Sequence, residues 1–184
     1  MAFATRHFAR ASSSSAVAAT AAAKKLLIKH VTVIGGGLMG AGIAQVAAAS
    51  GHTVVLVDQS DEILKKSTKG IEESLKRVTK KKFADKPEAG AEFIEKTLKN
   101  LTTNTDAAAV VHSTDLVIEA IVENLEVKNE LFKRLDKFAP DHTIFASNTS
   151  SLQITNLANS TTRQDRFGGL HFFNPVPMMK LVEV

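Results

Sequence analysis

The stretch KHVTVIGGGLMGAGIAQ, residues 29–45, decides the fold of this 184-residue chain. Its first half is apolar and β-branched, which predicts a buried strand that runs directly into glycines. The small-residue run LMGAGIAQVAAAS then predicts a helix, for which Gly51 is a suitable C-terminal stop. TVVLVD, residues 53–58, predicts a second buried strand. Strand, glycine turn, helix and strand within about 30 residues form a βαβ unit, and hence a parallel sheet with a right-handed crossover.

The alternation of strands and helices continues beyond this unit. Residues 60–101 predict two helices in a hairpin, interrupted near residues 86–90, because apolar residues recur at helical spacing on both sides of the break. Further strands are predicted at 115–121, 143–147 and 167–173. The helix between the first two would present Leu131, Leu135 and Phe138 on its apolar face, and a short helix is predicted at 151–159. The predicted class is α/β, a Rossmann-type doubly wound, mainly parallel sheet with a helical-hairpin insertion.

Composition excludes several functional classes. The chain has no cysteine, which excludes disulfides, zinc–thiolate sites and thiol nucleophiles. No apolar run approaches the roughly 20 residues that a membrane-spanning helix needs. The net charge of +4 is too small to favour nucleic acid as a partner. The length fits one ordinary domain with its own core.

The opening segment has a composition of its own. It carries Arg6 and Arg10, a serine run and many alanines, and the first acidic residue of the chain is Asp58. This composition is typical of a mitochondrial transit peptide, while a disordered Ala/Ser tail without a targeting role is the alternative. We therefore expect a disordered transit peptide at 1–24, a nucleotide-binding domain at 25–184, and a location in the mitochondrial matrix.

A Gly-x-Gly-x-x-Gly motif lies between the first strand and the first helix. In dinucleotide-binding folds, the first glycine permits the tight turn, the second lets the backbone approach a pyrophosphate, and the third lets helix and sheet pack closely. The N-terminus of the helix offers free N–H groups to the phosphates. The context of strand, turn and helix makes dinucleotide binding the favoured interpretation over a structural glycine turn. The expected cofactor-binding residues here are Gly35, Gly36, Gly37, Leu38, Met39 and Gly40.

Asp58 at the end of the second strand indicates which dinucleotide is bound. A carboxylate in this position accepts hydrogen bonds from the ribose 2′-hydroxyl and repels a 2′-phosphate. Gln59 and Ser60 follow, with no arginine to receive that phosphate. NAD is therefore favoured over NADP, although the motif alone separates NAD from FAD less firmly. A role for Asp58 as a helix cap or helix N-terminal charge is the alternative, and the two roles are compatible.

His171 lies in an apolar segment near the end of a predicted strand. A histidine in such a segment is commonly a hydrogen-bonded core residue. Three features favour catalysis instead: ligands bind at strand carboxyl ends in this fold class, the polar Asn174 follows at the turn, and Glu183 comes after two prolines. If the chain reverses there, Glu183 can orient the imidazole of His171 and stabilise its protonated form.

Five segments together resemble the short-chain L-3-hydroxyacyl-CoA dehydrogenase family of mitochondria, over essentially the whole chain. They are GGGLMGAGIAQ, the strand ending in Asp58, IEAIVEN, ASNTSSL and HFFNPVPMMKLVEV. The resemblance implies NAD-dependent oxidation of an L-3-hydroxyacyl-CoA to the 3-ketoacyl-CoA, which is a step of fatty-acid β-oxidation. No metal takes part in that reaction.

The resemblance also implies roles for individual residues. His171 matches the general base, Glu183 its orienting carboxylate, and Ser150 a residue that contacts both substrate oxygen and cofactor. Further cofactor contacts near the nicotinamide and its ribose match Asn174, Glu123 and Lys128. Alternatives remain for several of them: Ser150 could cap the next helix, and Glu123 with Lys128 could form an ordinary solvated pair.

Coenzyme A contacts are implied on the first helix of the hairpin. Ser74 and Lys81, together with Ser150, match positions of the family that contact the substrate. The two helical residues are seven apart and share one face, within the basic run at 76–82. Such a cluster suits the phosphates of coenzyme A, while a solvated helix face is the alternative.

The family has a second, mostly helical domain that follows this segment and forms the dimer interface, and that domain is absent from the chain. We therefore expect a fragment or truncated isoform that binds NAD with little or no turnover, and whose oligomeric state is left open. Two alternatives to a dehydrogenase remain: a catalytically inactive NAD-binding module, and a structural protein, since a lens crystallin resembles this family.

Overall fold

The computed structural model describes residues 27–184, so the predicted transit peptide at 1–24 lies outside the described residues. Strands and helices alternate along the chain. The strands are β1 (His30–Ile34), β2 (Thr53–Val57), β3 (Leu101–Asn104), β4 (Leu116–Glu119), β5 (Ile144–Ser147), β6 (Phe167–Gly169), β7 (His171–Phe172) and β8 (Val182–Glu183). The helices are α1 (Leu38–Ala49), α2 (Asp61–Lys82), α3 (Pro87–Lys99), α4 (Ala107–Val110), α5 (Leu125–Asp136) and α6 (Ile154–Ala158).

Six strands form one parallel sheet in the order β3-β2-β1-β4-β5-β6. This is the doubly wound order, and it confirms the predicted α/β fold class. The chain reverses its direction of winding between β1 and β4, which are hydrogen-bonded neighbours. At such a switch point the connections leave the sheet on opposite faces, so the carboxyl ends of the two strands open into a crevice.

Two apolar clusters cover the two faces of the sheet. On one face α1 and α2 pack on β1 and β2, with Ile43, Leu64 and Ile71 almost fully buried. On the other face α5 and α6 pack on β4 and β5. There Phe132 contacts the rings of Phe145 and Phe167, with centroid separations of 5.6 and 4.7 Å. Because the central strands are covered on both sides, they are mostly apolar along their length.

The predicted helical hairpin is confirmed as α2 and α3, which pack against each other. Ser60 is the N-cap of α2 and accepts a hydrogen bond from the N–H of Ile63 at 3.4 Å. Acidic residues occupy the first turn of α2 and lysines its last turn, which complements the helix dipole at both ends. Within residues 27–184, no helix combines the length and apolarity needed to cross a bilayer.

The edge strand β3 was missed, because the sequence pattern extended the helical hairpin to Leu101. In the structure α3 ends at Lys99, and LTTN pairs in parallel with β2. A four-residue strand with two exposed threonines has no clear alternation, so only its pairing with β2 defines it.

The prediction of a single strand at 167–173 was also wrong. The chain pairs in the main sheet only as β6, and then leaves it after Leu170, whose N–H donates to the carbonyl oxygen of Ser147 at 2.9 Å. His171 and Phe172 instead form β7, which pairs antiparallel with β8. The main sheet and this hairpin are therefore separate, and the hairpin lies at the carboxyl edge of the sheet.

The apolar face predicted for α5 is partly wrong. Leu135 is buried and Leu131 is half-buried, but Phe138 lies beyond the helix and is exposed. Phe132 takes the central core position instead. Lys128 lies on the same buried face, where a cation is not expected from apolar periodicity.

Arg163 connects the end of α5 to the start of β5 through hydrogen bonds. Its Nε donates to the carboxylate of Asp136 at 2.6 Å, and its Nη1 donates to the carbonyl oxygens of Pro140 and Thr143 at 2.7 and 3.2 Å. The guanidinium also lies 4.6 Å from the ring centroid of Phe145. The side chain is almost fully buried, so its hydrogen bonds compensate the desolvation of the charge.

We expect Arg163→Ala to lower the free energy of unfolding by about 3–5 kcal/mol, because it leaves the Asp136 carboxylate buried without its partner. Arg134 is the matched control, since it pairs with Asp106 on the surface. Arg134→Ala should cost less than about 1 kcal/mol. Urea denaturation of both variants measures the difference, and equal losses would contradict the assigned role of Arg163.

Asp136 should make stability depend on pH in the acid range. Burial raises the pKa of its carboxyl, but hydrogen bonds from Arg163 and Thr162 lower it more, so the pKa lies below the ordinary 3.8. A depressed pKa stabilises the fold above the unfolded-state value, and this contribution is lost as pH falls through the folded-state value. The stability difference between the unsubstituted chain and Asp136→Asn should therefore shrink as pH falls below about 4. Denaturation curves across that range measure it, and a constant difference would contradict the linkage.

Candidate active site

The glycine loop between β1 and α1 lies at the crevice between β1 and β4. Gly35 has a φ of +113°, a conformation that residues with side chains rarely adopt, and a Cβ there would overlap the carbonyl group of Ala120. A Cβ on Gly40 would overlap the carbonyl oxygen of Gly35. These contacts fit the roles predicted for the first and third glycines. A Cβ on Gly37 would meet nothing within 4 Å, so this position is open to a ligand.

The N-terminus of α1 is directed into the same opening. Its first turn contains no acidic residue, and among residues 27–184 no side chain caps it. The N–H groups at its start are therefore available to an anion, which fits the pyrophosphate of a dinucleotide. Leu38 in this turn is 74% exposed, and Met39 lines the neighbouring cleft.

The glycine loop is held by two polar side chains. Asp58 accepts a hydrogen bond from the N–H of Gly36 at 2.8 Å, and the Ser67 hydroxyl donates to the carbonyl oxygen of Gly36. Asp58 also accepts from the N–H of Ser60 at 3.1 Å. Ser60 is the helix cap, so Asp58 is not. The half-buried carboxylate of Asp58 keeps free lone pairs for ribose hydroxyls, and the whole arrangement fits NAD.

His171 lies between Glu183 and Ser150. In the antiparallel pair β7–β8, His171 is directly opposite Glu183, and its Nδ1 lies 2.8 Å from Oε2 of the carboxylate. Its Nε2 lies 3.1 Å from the hydroxyl oxygen of Ser150. The predicted reversal of the chain is therefore confirmed. Because a carboxylate only accepts hydrogen bonds, Nδ1 donates to Glu183, and in the neutral imidazole Nε2 is then a hydrogen-bond acceptor facing the Ser150 hydroxyl.

Ser150 is not a helix cap. The N-cap of α6 is Gln153, and its side chain makes no capping hydrogen bond. The hydroxyl of Ser150 is instead exposed at the carboxyl edge of the sheet, beside His171. The loop after β5 also holds β7 in place, because Asn148 accepts a hydrogen bond from the N–H of Phe172 at 2.8 Å.

A cleft of about 240 Å³ opens at this edge of the sheet. Its lining combines the first turn of α1 with the loops that follow β4 and β5, as expected for a switch-point crevice. The lining residues are Met39, Ala120, Ile121, Glu123, Lys128, Asn148, Ser150 and Ser151. Asn174 is exposed beyond β7 and does not line this cleft in the described part of the chain.

Glu123 and Lys128 are not a solvated pair. Lys128 is 1% exposed, and its ammonium lies 2.6 Å from Glu119 and 3.2 Å from Glu123. Burial raises the pKa of Glu123, but the hydrogen bond from Thr149 and the charge of Lys128 lower it more, so the pKa lies below 4.5. Glu123 is therefore ionised at neutral pH.

Glu119 and Ser147 were missed by the sequence interpretation. Glu119 is 0% exposed and accepts hydrogen bonds from Ser147 at 2.6 Å, from the N–H of Ile121 at 2.7 Å and from Lys128 at 2.6 Å. Their place in the sequence could have identified them, because each is a polar residue at the carboxyl end of an otherwise apolar parallel strand.

Ser74 and Lys81 do not reach the cleft. They lie farther along α2, where Ser74 is half-buried and Lys81 is exposed. Ser60, Ser67, Ser74 and Lys81 recur every seven residues and so share one face of the helix. The first two contact Asp58 and the glycine loop, so this face begins at the loop and extends away from it.

Comparison with known proteins also identifies a dinucleotide-binding domain in this chain. Residues 30–184 match the family model described as "3-hydroxyacyl-CoA dehydrogenase, NAD binding domain". The chain is 79% identical to the hydroxyacyl-coenzyme A dehydrogenase, mitochondrial, of Mus musculus and 77% identical to that of Homo sapiens, each over 184 residues. Both matches cover the whole of this chain but only 58% of the length of the relative.

Solved structures agree with this assignment. The 3-hydroxybutyryl-CoA dehydrogenase of Escherichia coli matches 85% of this chain and 32% of its own, with 48% identity and a TM-score of 0.78. PaaH1 of Ralstonia eutropha, an (S)-3-hydroxybutyryl-CoA dehydrogenase, matches 85% of this chain and 53% of its own, with 41% identity and a TM-score of 0.78.

We expect Gly35→Ala to destabilise the chain and to abolish NADH binding, because the added methyl group meets the carbonyl of Ala120 at a positive φ. Gly70 is the matched control, since it lies in the interior of α2, where an added Cβ would meet nothing within 4 Å. Gly70→Ala should stabilise the helix by up to about 1 kcal/mol and leave binding unchanged. Thermal unfolding and NADH fluorescence titration test both variants, and undiminished binding by Gly35→Ala would contradict the assigned role of the loop.

Proposed function

The chain belongs to the 3-hydroxyacyl-CoA dehydrogenase family through its NAD-binding domain, and we propose that it serves the oxidation of an L-3-hydroxyacyl-CoA to the 3-ketoacyl-CoA. The observation that carries this proposal is the hydrogen-bonded series Ser150–His171–Glu183 beside the cleft. It offers a proton acceptor at the place where the fold class binds the nicotinamide half of a dinucleotide.

Three residues of this chain take part in the proton transfer from the substrate. Nε2 of His171 accepts the proton of the substrate 3-hydroxyl as the carbon–hydrogen bond at C3 breaks. Glu183 holds the proton on Nδ1 and stabilises the imidazolium that forms. Ser150, within hydrogen-bonding distance of Nε2, orients the substrate oxygen toward the imidazole. The bound NAD⁺ supplies the acceptor for the hydride that leaves C3.

We assign the cofactor contacts to three places, which are the glycine loop, the end of β2 and the cleft. We assign the pyrophosphate to the glycine loop, residues 35–40, and the adenine ribose to Asp58. Glu123 and Lys128 are assigned to the nicotinamide ribose, with Ser150 near the nicotinamide. Asn174 does not line the cleft, and it is assigned to the nicotinamide on the family resemblance alone. The support for these assignments is the exposed N-terminus of α1, the free lone pairs of Asp58 and the position of Glu123 and Lys128 in the cleft wall.

Coenzyme A is assigned to the face of α2 that carries Ser74 and Lys81, with Ser150 at the acyl end. This face begins at the glycine loop and ends among the lysines of the last helical turn. Those lysines provide the positive charge that the phosphates of coenzyme A require. The acyl group of the substrate can then extend toward His171.

A mitochondrial location is part of the proposal. The relatives from mouse and human carry the word mitochondrial in their names. The opening residues are basic and contain no acid, as in mitochondrial transit peptides. We place the protein in the matrix, with a role in fatty-acid β-oxidation.

His171→Gln should lower the rate of NADH oxidation by acetoacetyl-CoA about a hundredfold or more, because no base then exchanges the proton. The rate is measured by absorbance, with the 184-residue chain at stoichiometric concentration. NADH binding should not change, since the side chain does not contact the glycine loop. Glu130→Gln, on the exposed face of α5, is the matched control and should react at the unsubstituted rate.

Binding and turnover together decide between the candidate functions. NADH binding with a rate that depends on His171 supports the dehydrogenase. Binding with no rate above that of His171→Gln supports the inactive NAD-binding module. Absence of both would leave the structural role and contradict the proposal.

A further inference from the structure

Three charged side chains lie beside the end of the cleft that is assigned to the nicotinamide, and their charges do not sum to zero. Glu119 and Glu123 both contact the single ammonium of Lys128, at 2.6 and 3.2 Å. We call these three residues the Glu119–Lys128–Glu123 cluster. With two carboxylates and one ammonium, its net charge is −1. Glu119 has no assigned role in the reaction, although it is as fully buried as any residue of the apolar core.

Both carboxylates of the cluster are held by several hydrogen-bond donors. Glu119 accepts from Ser147, from the N–H of Ile121 and from Lys128. Glu123 accepts from Thr149 and Ser151 in addition to its pairing with Lys128. These donors fix both carboxylates beside the single ammonium of Lys128.

The cluster is close to the cleft, and two of its three side chains, Glu119 and Lys128, are shielded from water. Glu123 and Lys128 line the cleft together with Ser150, and Ser150 contacts His171. Glu119 lies at the carboxyl end of β4, at the switch point of the sheet, directly behind this wall. Because Glu119 and Lys128 have almost no contact with solvent, salt screens their charges far less than those of surface residues.

NAD⁺ and NADH differ in charge at the nicotinamide ring. The ring is cationic before it accepts a hydride and neutral afterwards. A net negative charge near the ring therefore stabilises the oxidised form relative to the reduced form. We propose that the Glu119–Lys128–Glu123 cluster sets the preference of this site between the two forms. Lys128 and Glu123 alone would be neutral as a pair, so the buried Glu119 supplies the net negative charge.

This inference rests on the proposed function, which places the nicotinamide beside His171. The measured quantity is the ratio of two dissociation constants, that of NADH divided by that of NAD⁺. Fluorescence titration gives the first, and displacement of NADH by NAD⁺ gives the second. A loss of packing weakens both forms alike, whereas a change of charge alters the ratio.

Three variants separate charge from packing. Glu119→Gln brings the cluster to zero net charge and should lower the ratio on the order of fivefold. Glu123→Gln makes the same change of charge from a partly exposed position, and should lower the ratio in the same direction even if the first variant does not fold. Glu119→Gln combined with Lys128→Met returns the net charge to −1, so the ratio should recover to near its original value. Replacement of a buried ion pair by neutral side chains is commonly tolerated.

Glu130→Gln removes an exposed charge from the same helix and should leave the ratio unchanged. A ratio that stays constant in Glu119→Gln and Glu123→Gln, while both cofactor forms still bind, would overturn this inference and leave the proposed function standing. Failure of the double variant to restore the ratio would overturn it as well. If the unsubstituted chain bound neither NAD⁺ nor NADH, the inference and the proposed function would both fall.

Discussion

The close approach of the glycine loop to the neighbouring strand is the constraint on which the rest of the site depends. Gly35 lies against the carbonyl of Ala120, and Gly40 lies against the carbonyl oxygen of Gly35, so neither position has room for a side chain. This approach lets β1 continue into α1 at the point where β1 and β4 pair. The N-terminus of α1 and the carboxyl ends of both strands then face one opening, which suits a phosphate on one side and a reactive ring on the other.

A small hairpin brings His171, the proposed proton acceptor, to that opening. After β6 the chain leaves the parallel sheet, and the departing segment donates two backbone hydrogen bonds, one to β5 and one to the loop after it. The antiparallel pair β7–β8 then places His171 directly opposite Glu183. A rigid sheet thus positions Ser150, while a separate two-stranded unit positions the imidazole and its carboxylate. The site depends on contacts between these two units rather than on one continuous strand.

Buried charged side chains occur in two separate networks of the described structure. Glu119 and Ser147 end two apolar strands, and with Lys128 they form hydrogen bonds that apolar packing would not require. Arg163 is equally buried, but it binds carbonyl oxygens and a carboxylate at the opposite, amino-terminal end of β5, and its role is to connect elements. The two networks differ in position relative to the sheet, and the one at the carboxyl edge lines the cleft.

The local sequence pattern determined much of the fold and of the site of this protein. The βαβ unit, the helical hairpin, the doubly wound class, the glycine loop and the residue types of the site all follow from periodicity, turn residues and a family resemblance, because these depend on neighbours in the chain. The strand β3, the division of the segment at 167–173 and the burial of Lys128 were decided by the tertiary structure. Each depends on a partner in another element of the fold: β2 for the edge strand, β8 for the hairpin, and Glu119 of β4 for the ammonium. A short strand or a buried charge is stable only when that partner is present, and one-dimensional periodicity contains no information about which residue it is.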